Sequence, residues 1–266
     1  MTRRGNRGII VSAVPAQVER LKRVLLSLPE LGLRTGWLRD LLANQAVDEQ
    51  ASLLNGLCED SERGEPQARE AMLVVALVFA AQGECEHLEQ LRQSAEIRHL
   101  LSLGRLLRKT PPLSVRPPPE PPIPDYGAGR ELTVGERKSL ARTPNRRAFE
   151  KLLRDPHPLV LRQLLGNPRL TENDVLRLAA RRPARREVLE SIAQNGHWLA
   201  RTRVRMAVLL NPGSPAAMAM PLLAVCTRNE LQEVLQNTES SSVLRNAALE
   251  LLERLPPLGA TFEVMQ

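Results

Sequence analysis

The sequence predicts an all-α protein, an N-terminal helical domain followed by a C-terminal α-solenoid, and three observations predict it. Aromatic residues make up only 2% of a chain that is 42% hydrophobic, so the core must be built from Leu, Val, Ala and Met. That set favours helices over strands. Residues 155–180 and 203–224 run twice through the same kind of unit: an apolar helical run, an Asn-Pro break (Asn167-Pro168, Asn211-Pro212), a helix start at Thr171 or Ser214-Pro215, then a second apolar helix. The two asparagines are 44 residues apart, a spacing at which internal repeats signal stacked helical units. Between the two helical parts, prolines crowd the segment 110–132.

In chain order, Pro15 fits the first turn of a helix reaching residue 28, with Val18, Leu21, Leu25 and Leu28 on one stripe and Pro29 as its stop. Thr35 is placed to cap a second helix bearing Trp37, Leu38, Leu41 and Leu42. Asp48 starts a third with Leu53, Leu54 and Leu57, and Pro66 opens a fourth whose run 71–81 is apolar on most sides. Two more fall over 86–93 and 96–108, completing an all-helical domain over 1–109. Residues 110–132 read as a polyproline-II linker at ~3.1 Å per residue, long enough to hold the halves tens of ångströms apart. Within it, Arg116, Pro119 and Pro122 also spell the R-x-x-P-x-x-P pattern that aromatic-lined grooves accept. The second domain, 133–266, opens with short helices over 136–141 and 146–153. Thr171 with Asp174 makes a variant of the capping box, and apolar faces then recur through Val188, Val204, Met218, Leu231 and Leu244 to Leu252. The acidic stretch from Glu230 suits a polar end to the array.

Net charge is +7, and it is local: 136–210 holds 17 basic and seven acidic residues, while the rest of the chain nearly balances. Arg181, Arg182, Arg185 and Arg186 flank Pro183, and Arg201, Arg203 and Arg205 follow. With Arg162 and Arg177 beside them they form a candidate basic ridge, since guanidinium forks suit carboxylates and phosphates alike. Trp198 is a candidate interface anchor or an inter-helix packing residue. An acidic protein surface is the expected partner. Nucleic acid is the alternative, held back because Trp198 is the one aromatic near the ridge.

The residues also resemble a known family. Asp155-Pro156-His157-Pro158, Leu161-Arg162, Asn167-Pro168 and Val175, Leu176, Leu178 and Ala179 behind Thr171 are similar to the leucine-rich repeat variant, a bacterial relative of HEAT-like solenoids. The run from Val204 through Val208, with Asn211-Pro212 and Ser214-Pro215, resembles its signature more closely. The resemblance covers about 155–252, and it implies short α and 3₁₀-like helices stacked in a right-handed superhelix. The caps Thr171 and Ser214 stand one residue out of step with each other.

Chemistry is sparse. Cys85-Glu86-His87 invites a metal reading, but positions two apart on a helix face different ways. No Gly-rich phosphate loop or nucleophile motif is present, so the expectation is no enzyme, no cofactor and no metal. Cys58, Cys85 and Cys226 read as free buried thiols of a cytoplasmic protein. The apolar stretch 8–13 is too short for a secretory leader. The run 71–81 is about half of what a membrane span needs.

Overall fold

The computed structural model describes residues 7–83, 85–109 and 121–254, and for 7–13 the backbone alone. The first half consists of α1 (Arg7–Ser27), α2 (Leu31–Ala43), α3 (Val47–Glu62), α4 (Pro66–Gln82), α5 (Glu86–Ile97) and α6 (Leu101–Leu106). The second half begins with α7 (Val134–Arg142), α8 (Arg146–Leu152), α9 (Pro158–Leu165), α10 (Glu172–Ala179) and α11 (Arg186–Ala193). It continues through α12 (Gly196–Leu199), α13 (Thr202–Leu209), α14 (Ala216–Leu223), α15 (Arg228–Gln236) and α16 (Ser242–Arg254). The described residues contain no strand and no 3₁₀ segment. The all-α expectation holds, and the R-x-x-P pattern lies mostly outside the described residues.

Several local expectations need correction. Helix α1 begins eight residues before Pro15, which sits inside it. A proline there removes one main-chain bond, while the apolar stripe continues across it through Val14, Val18 and Leu21. Thr35 lies within α2, its hydroxyl bonded to the Gly32 carbonyl one turn back at 3.0 Å. The stretch 96–108 is not one helix: α5 ends at Ile97 and the chain turns through His99, whose φ is +56°. Ser214 does not cap α14; its hydroxyl donates back to the Val208 carbonyl, and Pro215 takes the cap position.

Helix α4 organises the interior. Pro66 occupies its first turn, where a missing N–H costs nothing. Gly83 ends it at φ +63°, a conformation that favours glycine, with its N–H on the Phe79 carbonyl at 3.2 Å. One side of α4 (Met72, Val75, Val78, Phe79) packs into a core with α1, α2 and α3. Ala76, Leu77 and Ala80 join a second core built by α7 to α16, with α14 as the main neighbour. The two halves are therefore in direct contact, and the linker's reach does not hold them apart. Charged side chains close the same seam: Arg108 forms a two-pronged pair with Glu250 at 2.7 and 2.9 Å, Arg254 meets Glu62 at 3.2 Å, and Arg69 donates to the Cys226 carbonyl at 3.1 Å.

In the second half, asparagine side chains tie helix ends together. Asn167, after α9, donates to the Ala141 and Thr143 carbonyls at the end of α7, at 2.7 and 2.9 Å. Asn211, after α13, repeats this on the Ala179 and Arg181 carbonyls at the end of α10, at 2.7 and 3.0 Å. Each also accepts from the backbone N–H two residues on, Arg169 or Gly213, at 2.9 Å. Asn195 reaches the Leu165 carbonyl at the end of α9, and Asn237 reaches Leu210 after α13. These ties span 24–32 residues, so spatial neighbours recur at a shorter interval than the 44 residues between Asn167 and Asn211. Close by, the buried Arg137 donates to both oxygens of Asp155 at 2.7 and 2.8 Å. The Tyr126 hydroxyl adds a bond to Asp155 at 2.7 Å, pinning the chain before α7.

Removing a buried carboxamide strands two carbonyls, each costing on the order of 1–3 kcal/mol when unpaired. Asn167→Ala and Asn211→Ala should therefore each destabilise the chain by about 2 kcal/mol in urea titrations. Asn44→Ala, whose side-chain bond to the Asp40 carbonyl is exposed, should change it little.

Candidate functional site

The basic surface is built on α8, α10 and the loop between α10 and α11. Helix α8 buries Ala148, Phe149 and Leu152 and turns Arg146, Arg147, Glu150 and Lys151 outward. Helix α10 buries Val175, Leu178 and Ala179 and leaves Arg177 exposed. Its capping box is complete, with the Asp174 carboxylate accepting from the Thr171 N–H at 3.0 Å and the Thr171 hydroxyl accepting from the Asp174 N–H at 3.4 Å. After α10 the chain passes through exposed Arg181 and Arg182 and a cis Arg182–Pro183 bond.

The candidate residues separate into groups. Arg177 is held by Glu150 at 2.7 and 2.9 Å. Arg182 pairs with Glu239 at 3.2 Å and donates to the Leu210 carbonyl. Arg185 is half-buried, donating to the Pro156 carbonyl at 2.6 Å, and Arg186 pairs with Glu190 along its own helix. Arg201 pairs with Glu172 at 3.0 Å and lies over the Trp198 ring, 5.0 Å from its centre. Trp198 itself is 5% exposed and donates to the Leu165 carbonyl at 2.7 Å, so it packs between helices and is not an exposed anchor. Arg205 also leaves the ridge. It is 6% exposed, with its guanidinium turned onto the Ala200 carbonyl and the Thr202 hydroxyl. Arg162 and Arg203 are exposed and have no ion pair among the described residues.

What the structure brings together is a different trio. Arg181 lies within electrostatic reach of Arg154 and Arg177, and the three line a narrow cleft with Glu150 and Asp174 above Leu153 and Leu178. Arg181 is exposed overall, yet it leans on these apolar walls. Partial desolvation, then repulsion from Arg154 and Arg177, lowers its pKa below the usual arginine value. It has no ion pair among the described residues. Arg154 was not singled out from the sequence. Its signal was the surplus of 136–210, but no helical spacing relates it to Arg181.

The carboxylates of this region are all engaged. Glu136, Glu150, Asp155, Glu172, Asp174, Glu187 and Glu190, the seven acidic residues of 136–210, each form an ion pair with an arginine of this chain. Exposed Arg142, Arg147, Lys151, Arg154, Arg162, Arg169, Arg181 and Arg203 have no ion pair among the described residues.

Elsewhere, polar clusters are occupied from within. Glu19, Asp60 and Glu65 stand close enough to hold a cation, and the buried Lys22 ammonium sits among them at 2.5, 3.0 and 2.7 Å. Burial opposes that charge, but the hydrogen bonds that Lys22 donates to Glu19, Glu65 and Asp60 outweigh it and raise the Lys22 pKa. His87 is bonded to the Gln50 side chain at 2.7 Å. Of the three cysteines, Cys58 and Cys226 are buried as expected but Cys85 is exposed. No helix among the described residues is long and apolar enough to cross a membrane.

Compared with known proteins, the chain matches no family model, no curated protein and no solved structure.

Two measurements follow from these environments. Burial pushes the Cys226 thiol up to about 12 and raises Cys58 as well, so a thiol reagent at pH 8 should modify Cys85 rapidly and the other two only on unfolding. Glu136 is lowered to about 2 by Arg130, then by the Thr133 N–H and hydroxyl; Glu150 is lowered by Arg177 and Glu250 by Arg108. For Asp174, burial pulls upward, but Arg146 and Thr171 bring it below its ordinary value. Carboxylates with depressed folded-state pKa stabilise above their unfolded-state value and lose that contribution as pH falls through the folded one. Stability should decline as pH is lowered from about 4.5 towards 2, with Glu136 itself titrating at about 2 when followed by NMR.

Proposed function

We propose that the chain is a non-enzymatic adaptor or scaffold, a HEAT-like α-solenoid whose basic surface meets an acidic protein partner. The observation that carries this reading is the completeness of internal pairing: the seven carboxylates of 136–210 are all engaged, and eight exposed cations are left without ion pairs among the described residues. Arg181 is the most exacting of these, because desolvation and its cationic neighbours both disfavour its charge. An approaching carboxylate offsets both costs.

The solenoid part is supported by the asparagine ties. Asn167 and Asn195 link α7 to α9 and α9 to α11, and Asn211 and Asn237 link α10 to α13 and α13 to α15. Two parallel series of helices joined end to end in this way are what a stack of helical pairs requires. An exposed cationic surface of this kind gives fast, salt-sensitive association.

The test is a tagged pull-down from the protein's own cells, divided in two, with one portion treated with nuclease and both read by mass spectrometry. A short set of proteins should survive nuclease, and Arg154→Glu with Arg181→Glu should reduce their recovery at least tenfold. Material that disappears with nuclease would make the surface a nucleic-acid one instead. Recovery unchanged by the double reversal would remove this surface from the function.

A further inference from the structure

A cavity of about 210 Å³ opens beside Arg181. Its walls include Leu161 of α9, Leu178 of α10, Val188 of α11 and Leu153 after α8, together with Pro121 and Pro183. Arg181 and Arg185 stand among these apolar walls. Arg185 is fixed there by the Pro156 carbonyl, whereas Arg181 has no ion pair among the described residues and borders the Arg154 cleft as well. Asp155 also reaches the cavity, but its carboxylate is already engaged by Arg137, Tyr126 and the His157 N–H. Among the described residues, the cavity thus presents apolar walls and an arginine without an ion pair, and its one carboxylate is already engaged.

Size decides what such a space can hold. Pockets for drug-sized ligands and cofactors run to roughly 300–1,000 Å³, and this one is smaller. It is still many times the roughly 10–15 Å³ that one water molecule needs on the same measure. It has room for one aliphatic or aromatic side chain. We propose that this cavity is a socket for a single apolar side chain of an acidic peptide segment in a partner protein, whose flanking carboxylates lie against Arg181 and Arg154. The assignment rests on the reading of the basic surface as a protein-binding one. It goes further by naming the recognition element: an apolar residue flanked by Asp or Glu.

The ridge alone would draw any acidic chain, but the socket distinguishes among acidic chains. Two probes separate these cases on the full chain by calorimetry at low ionic strength: acetylated, amidated Asp-Glu-Leu-Glu-Asp and the same peptide with Ser at its centre. The leucine peptide should bind about tenfold more tightly, the order expected for moving one leucine side chain out of water. Val188→Phe, which fills the socket, should bring the leucine peptide down to the serine level, while Arg154→Gln with Arg181→Gln should weaken both. The unaltered protein gives a second readout: the methyl resonances of Val188 and Leu178 should shift with the leucine peptide and not with the serine one. Equal, salt-sensitive binding of the two peptides, or a leucine preference that survives Val188→Phe with silent Val188 methyls, overturns the socket and leaves the basic surface standing. Failure of both peptides to bind at millimolar concentration overturns the socket and the acidic-partner reading together.

Discussion

The second half of this fold depends on an amide group that does two jobs at once. Its helices are mostly eight or nine residues long, too short to persist alone, and each leaves carbonyls at its C-terminus without intrahelical partners. The carboxamide of Asn167 or Asn211 gives both N–H bonds to such carbonyls on a neighbouring helix, while its oxygen shapes its own turn by accepting from the residue two positions on. One side chain therefore satisfies a helix end, forms the next turn and fixes the distance between two helices. The turn after Asn211 is tight enough that a Cβ on Gly213 would come within 3.1 Å of the Ala184 carbonyl. The turn thus lies directly against the loop carrying Arg181 and Arg185, and Asn211 also holds that loop by the Arg181 carbonyl, so the charged surface inherits its geometry from the asparagine.

The electrostatics extend the same architecture sideways. Arg146–Asp174, Glu150–Arg177 and Glu172–Arg201 join residues 27–29 positions apart, close to the interval of the asparagine ties. Solvent screens such pairs and leaves each worth little where both partners are exposed, but with the other ion pairs of the region they engage every carboxylate of 136–210. Of the excess of ten cations read from 136–210, eight therefore stand exposed and without ion pairs among the described residues, whereas Arg205 is buried and Lys138 half-buried. The cost of that excess is self-repulsion, concentrated where Arg154, Arg177 and Arg181 converge.

Much of this was legible in the sequence, and the misses have definite causes. Leu and Ala enrichment with few aromatics correctly implied helices. Pro66 correctly marked the start of α4, and Thr171 with Asp174 that of α10. Those signals are local, set by residues within one turn of each other. Asn167 and Asn211 were legible as breaks but not as ties, because their partners lie 24–32 residues earlier. The interval between the two asparagines suggested a 44-residue unit, yet they close different series, one following α9 and the other α13. The charge surplus was visible, but its distribution was not. Nothing in the spacing of Arg203 and Arg205 says that the second is buried, nor does any helical interval join Arg154 to Arg181. Thr35 failed as a cap because tertiary packing extended α2 one turn beyond it.

The sharing of α4 between two cores also bears on the order in which the chain is made. Its inner side is covered by α1, α2 and α3, which all precede it, but its other side waits for α14. About 140 residues separate the end of α4 from the end of α14. At ribosomal rates of roughly 5–20 residues per second, Ala76, Leu77 and Ala80 stay uncovered for about 7–30 s on every nascent chain. During that interval the first half is a folded layer with an apolar strip open to solvent, the kind of surface that chaperones recognise. The seam that unites the finished protein is thus the site at which an unfinished one is most exposed to capture or aggregation.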